Sequence, residues 1–272
     1  MKPTRRGGRS DRAFRLTAPT GRHAGRSSGH DGAVLVQACL NGGRTRRDHR
    51  RCPLTPAELA AEAAAVVAAG ADAVHVHPRD DGGDETLEGR HVDAAVGAVR
   101  SRVPVPVGVT TGAWIEPDPA DRLARIRAWR VLPDMASVNF HEPGAVDVAV
   151  LLLERGVAVE AGVWSEEAAR VLLDSGVAPR CLRFLLEPMD ADLDATLGRV
   201  GAIEAVLDDL PAPVTRLLHG AEGTAWDVFA EAARRGYDGR MGLEDTLQLP
   251  DGTAAAGNAD LVTAACERRG ER

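Results

Sequence analysis

The chain reads as an α/β protein, a (β/α)8 barrel preceded by a disordered N-terminal tail, on three observations. From residue 33 onward, short apolar runs of β character alternate with longer Ala-, Leu- and Val-rich stretches of helical period, with no break in composition. The alternation repeats eight times over about 235 residues, the number and length that such a barrel requires. Polar residues able to do chemistry then cluster where the strands end, the face on which such barrels carry their sites. The expected organisation is a basic tail over 1–30 and a single catalytic domain over 31–270.

The units follow in order. A first strand, 33–39 (AVLVQAC), runs into the turn-forming Asn41-Gly42-Gly43. A helix over 56–69 starts with Thr55 as cap, Pro56 in the first turn and Glu58 three residues after the cap, a capping box. Strand 73–77 (AVHVH) leads to helix 90–101, strand 105–109 (VPVGV) to helix 118–129, and strand 134–138 (DMASV) to helix 143–155. Strand 157–161 (VAVEA) precedes helix 165–175, strand 181–186 (CLRFLL) helix 190–208, and strand 214–218 (VTRLL) helix 222–235. Strand 239–243 (GRMGL) and a last helix over 257–268 close the series. Gly70, Gly156, Gly176 and Gly236 stand where helices should end. An open doubly wound sheet is the alternative, but CLNGGRT lacks the GxGxxG turn into a helix.

Composition removes several function classes. Lys2 is the only lysine, so Schiff-base aldolase chemistry, pyridoxal-phosphate attachment and a P-loop are excluded. Residues 1–30 carry eight Lys or Arg against Asp11, leaving about −14 on the rest, which argues against a nucleic-acid surface. Cysteines 39, 52, 181 and 266 form neither a CxxC pair nor a disulfide framework, the pattern of a reduced cytoplasmic protein. No apolar run approaches the roughly 18–20 residues needed to cross a bilayer, and the arginine-rich start lacks a secretory apolar segment.

His75 and His77 are two apart on a strand, so both imidazoles point to one side. Facing the interior, they could share a divalent cation with a carboxylate such as Glu244 from the closing strand. Otherwise they cap the barrel by hydrogen bonds to carbonyls. Glu244 and Asp245 point oppositely if the strand continues, so both reach the cavity only if the chain bends. Arg240, four residues earlier, would project inward and could clamp a carboxylate. Thr110-Thr111-Gly112 offers hydroxyls and backbone suited to a carboxylate or oxyanion. Ser137 and Asn139 end the fourth strand, and Glu160 and Glu187 read as partners for histidines or buried loop anchors. His141 and His219 read as hydrogen-bonded loop histidines, and tryptophans 114, 129, 164 and 226 as packing residues.

With these residues in place, the chain resembles the β-keto acid cleavage enzymes over about Val34 to Ala265. The resemblance lies in CPLTPAELAAEA, AGADAVHVHPRD, VGVTTGAWI, GLEDTLQLPDG and GNADLV, with HVHPRD and GLED in this order as its most specific part. It implies a zinc TIM barrel with one Zn2+ per subunit on His75, His77 and Glu244, which binds a β-keto acid through its keto and carboxylate oxygens. Acetyl-CoA is the implied co-substrate, and acetoacetate and an acyl-CoA are the implied products. Asp245 would be the acid/base carboxylate with Arg240 beside it, and Thr111 or Thr110 the orienting hydroxyl. Ser137 or Asn139 would line the opposite wall, Glu160 stands among the substrate-side candidates, and a homotetramer is expected. One departure concerns the substrate. The founding 3-keto-5-aminohexanoate enzyme has an acidic residue after the first strand where this chain has Arg44, which points to a neutral or anionic side chain. The competing readings are a metal-dependent class II aldolase or isomerase, and a catalytically inactive barrel that binds a metabolite.

Overall fold

A computed structural model describes residues 34–210 and 214–269. The expected basic tail over 1–30 lies outside the described residues, as do Ala33 and residue 270. Eight strands alternate with eight helices in the order β1 (Val36–Cys39), α1 (Pro56–Ala68), β2 (Ala73–Val76), α2 (Gly89–Arg100), β3 (Val107–Val109), α3 (Pro119–Arg127), β4 (Met135–Asn139) and α4 (Ala145–Glu154). The series continues with β5 (Ala158–Val163), α5 (Glu166–Asp174), β6 (Arg183–Leu186), α6 (Leu193–Leu207), β7 (Thr215–Leu218), α7 (Ala225–Arg235), β8 (Asp238–Met241) and α8 (Asn258–Arg268). All pairings are parallel and the sheet closes, with Gln37 of β1 opposite Arg240 of β8. The predicted (β/α)8 barrel is therefore the fold.

Local rules explain the element ends. The capping box of α1 is complete, with the Thr55 hydroxyl taking the Glu58 N–H and the Glu58 carboxylate taking that of Thr55. Gly70, Gly156, Gly176 and Gly236 all follow helices at positive φ. Strand bounds shift by up to three residues: β1 and β3 start late, β5 runs on to Val163, and β8 stops at Met241 rather than at 243, because the chain turns there. Asp245 and Thr246 both donate their N–H to the Gly242 carbonyl.

Strand parity divides the side chains. Val74, Val76, Val107, Val109, Ala136, Val138, Val159 and Ala161 point outward into one apolar core shared with the helices. The interior is polar instead. Gln37 of β1 reaches across the barrel to Glu160 of β5 at 3.2 Å, and Arg183 of β6 holds the same carboxylate at 2.7 Å. Arg183 also meets Asp238 at 3.1 Å. Burial works against the Glu160 charge, but Arg183, His75 and Gln37 together outweigh it and keep the carboxyl below its ordinary value. These ion pairs form a floor beneath the C-terminal mouth. Among the described residues, no helix is long and apolar enough to cross a membrane.

Candidate active site

Above that floor, at the C-terminal ends of the strands, lies a cavity of about 360 Å³ whose lining includes His75, His77, Thr110, Ser137, Asn139, Arg240 and Glu244. One ligand atom from each of His75, His77 and Glu244 lies within 4.8 Å of the others. The sequence separation between the imidazoles and the glutamate is bridged by barrel closure, since β1 pairs with both β2 and β8. Gly42 in the loop after β1 makes room for Glu244. A Cβ there would stand 2.2 Å from Glu244 Cγ, and the residue sits at φ +52°, which L side chains rarely adopt.

The surroundings suit a cation. His77 Nδ1 pairs with Glu85 Oε1 at 2.5 Å, while its Nε2 faces Glu244 Oε1 at 3.5 Å. A carboxylate on Nδ1 holds the proton there and leaves Nε2 as the ligand. Glu85 is itself held by Trp114, whose Nε1 donates to both carboxylate oxygens at 3.2 Å. Glu244 Oε2 is buried without a hydrogen-bond partner, an orphaned oxygen that a cation would satisfy. Burial drives the His75 imidazole down to about 4 and so keeps it neutral, as a ligand must be. Burial also opposes charge on His77, yet Glu244 and Glu85 overcome it and raise that ring to about 9. Glu244 resists burial in turn, because Arg240 and His77 hold it well below the usual carboxylate range. Two imidazoles and a carboxylate thus fit a divalent metal, with coordination positions left open.

Beside this trio is a second set of contacts. Arg240 meets Glu244 at 2.5 Å and donates from Nε and Nη2 to Asp245 Oδ1 at 3.0 and 2.6 Å. The bend at Gly242 is what lets both neighbours of the GLED segment reach it. Asp245 Oδ1 also faces His219 Nε2 at 3.0 Å, and His219 Nδ1 meets Glu187 Oε2 at 2.8 Å. Asp245 Oδ2 is left buried and unpartnered.

Not every candidate reaches the wall: Asp245 is buried behind Arg240 and His219, outside the lining. Thr110, Ser137 and Asn139 line it, whereas Thr111 spends its hydroxyl on the Ser137 carbonyl at 2.6 Å. Glu160 belongs to the floor. Arg44 stands outside the lining, its Nε on the Leu243 carbonyl at 3.0 Å and its Nη2 on Glu222 at 2.5 Å. Sequence reasoning missed Glu85. It lies in a charged loop, and only an antiparallel bridge between Arg79 and Glu85 returns that loop to the histidines. His219 is hydrogen-bonded, as expected of a loop histidine, but its place at the end of β7 puts it in the cavity wall. Trp114 and Trp164, expected to serve packing, also line the cavity.

Comparison with known proteins points to one family. The profile of the beta-keto acid cleavage enzyme family matches residues 33–269. A 3-keto-5-aminohexanoate cleavage enzyme from Fusobacterium nucleatum is 24% identical over 247 residues, covering 84% of this chain and 88% of its own. One from Acetoanaerobium sticklandii is 23% identical over 251 residues, covering 84% and 89%. Among solved structures, a ternary complex of ObcA with a C4-CoA adduct and oxalate superposes with TM-score 0.63 at 20% identity, over 80% of this chain and 63% of that one. The Yersinia pestis dihydropteroate synthase in complex with a sulfonamide drug gives TM-score 0.53 at 14% identity, over 86% and 92%. The two structural likenesses concern the barrel alone.

Proposed function

The chain belongs to the beta-keto acid cleavage enzyme family, and on that premise we propose that it is a zinc-dependent acyltransferase converting a β-keto acid and acetyl-CoA into acetoacetate and an acyl-CoA. In balance, the C2–C3 bond of the keto acid breaks, its acyl group passes to the CoA sulfur, and the acetyl group takes its place on C2. No electrons are gained or lost. The observation that carries the reading is the convergence of His75, His77 and Glu244 within 4.8 Å, beside a buried Arg240–Asp245 pair.

His75, His77 and Glu244 would hold one zinc per subunit, and such a cation supplies a Lewis acid that polarises the keto group and offsets enolate charge. Asp245 is the acid/base residue. Its Oδ1 is occupied by Arg240 and His219, both on the cavity lining, which leaves the buried, unpartnered Oδ2 as the oxygen assigned to take the C2 proton and return it. Arg240 and His219 fix the plane of that carboxylate, and Glu187 fixes His219. Thr110, Ser137 and Asn139 orient the substrate by neutral hydrogen bonds, with Thr111 holding the Ser137 strand end in place. Arg44, tied to Glu222, offers no carboxylate there for an ammonium-bearing side chain. Its four free cysteines suit a reducing compartment, and we place the enzyme in the cytoplasm as a homotetramer.

The test is a panel of β-keto acids incubated with zinc-loaded protein, with and without acetyl-CoA, reading acetoacetate. Formation only with acetyl-CoA supports acyl transfer over aldolase chemistry. His75→Ala should lose both metal and turnover. Full activity in that variant, or no acetoacetate from any acid, would remove the assignment.

A further inference from the structure

We infer that the acyl side chain of the β-keto acid is uncharged and apolar, and that the mouth wall formed by Trp114, Trp164, Leu185 and Met189 receives it. The inference rests on the function proposed above and narrows it to one substrate class. Two independent observations carry it.

The first is how the charges of the cavity are spent. A side chain ending in a carboxylate needs a free cation within reach. Among the described residues the one guanidinium on the lining, Arg240, is already shared by Glu244 and Asp245. Arg44 lies outside the lining and is tied to Glu222 and the Leu243 carbonyl. An ammonium side chain needs a free carboxylate, and each lining carboxylate has its own work. Glu85 holds His77 and Trp114, Glu187 holds His219, and Glu244 belongs to the metal trio. Either charged side chain would have to break one of these pairs, leaving a buried group unsatisfied.

The second is apolar surface held ready at the mouth. Trp114 is 52% exposed and Met189 50%, among the few large apolar side chains so exposed in the described residues, and both border this cavity. The Trp114 ring is fixed on three sides. Its N–H is taken by Glu85, its ring lies 23° from parallel to His77 with centroids 6.2 Å apart, and it covers Gly112 so closely that a Cβ there would stand 2.2 Å from it. A ring already immobilised loses little freedom when an apolar group covers it. Met189, on the same lining, is unbranched and adapts to the shape it meets. Leu185 from β6 and the partly buried Trp164 continue the same surface.

Zinc-loaded full-length protein is titrated calorimetrically, without acetyl-CoA, with 3-oxohexanoate, 3-oxoadipate and 3-keto-5-aminohexanoate. The apolar acid should bind at least about tenfold tighter than either charged acid. Equal affinities, preference for a charged acid, or no binding of any overturns the inference. In turnover, Met189→Ala should lose kcat/KM progressively with side-chain length, about twofold on 3-oxopentanoate and about tenfold on 3-oxooctanoate. A loss equal at every length, or one confined to the KM for acetyl-CoA, would assign the wall to the pantetheine arm and overturn it. Absence of acetoacetate from all acids would count against the proposed function, while the titration still decides the side-chain class.

Discussion

Removing Glu85 tests how far the histidine ligands depend on what stands behind them. Glu85 holds His77 at 2.5 Å and touches Trp114 with both oxygens, yet it contributes no atom to the metal trio. Glu85→Ala deletes the group that keeps the proton on Nδ1, so the ring can turn or adopt the wrong tautomer. Carboxylates placed this way behind a ligating imidazole are worth about 10- to 100-fold in metal affinity. At about 1.4 kcal/mol per decade, that is roughly 1.4–2.7 kcal/mol. Glu85→Gln keeps an acceptor and should fall between, and Trp114→Phe, which leaves the Glu85–His77 contact intact, should stay near wild type. The assay is zinc competition against a chromophoric chelator at one fixed pH, because protons on His77, raised to about 9, compete with the cation. A folded Glu85→Ala barrel that binds zinc within twofold of wild type would refute the reasoning.

Three further outcomes follow from the packing. Gly42→Ala forces a methyl against Glu244 at φ +52°, so it should cost about 1–3 kcal/mol in urea unfolding and strip zinc detectable by elemental analysis. Unchanged metal content would show that the loop simply yields. Arg183→Met leaves Glu160 charged and buried in the floor without its main partner, which should cost about 3–5 kcal/mol in the same assay; equal stability would mean that the pair is not coupled. Glu58→Ala opens the α1 capping box and should cost about 0.5–1 kcal/mol at neutral pH, its solvent exposure keeping the effect small. Glu58 titrates at about 2 in the folded chain against an ordinary 4.5, so its contribution is present above about 4.5 and fades as pH falls toward 2. A difference from wild type that stays constant over that window would contradict the assignment.

How much could be read in advance depended on distance along the chain. The eight units were legible because each strand and helix is written in its own period, and their caps lie within a few residues. The pairing of His75 with His77 was legible for the same reason, being a matter of strand parity. β8 was expected to end two residues too late because GRMGL continues an apolar pattern through Gly242, while the turn there depends on hydrogen bonds from residues 245 and 246. Arg44 was correctly placed in the loop after the first strand, but its alignment there did not show that Glu222, 178 residues away, would engage it.

The amino-acid order alone determined the barrel, the strand ends that carry polar groups, and the two imidazoles that share one side of a strand, since these follow from local periodicity and from a resemblance carried by contiguous motifs. Only the folded chain decided which carboxylate supports His77, that His219 bridges Glu187 to Asp245, and that Glu244 and Asp245 share Arg240. Those facts depend on closure of β1 against β8 and on loops folding back over the rim. Contacts between groups far apart in sequence leave no periodic trace, because their partners are chosen by geometry in space rather than by spacing along the backbone.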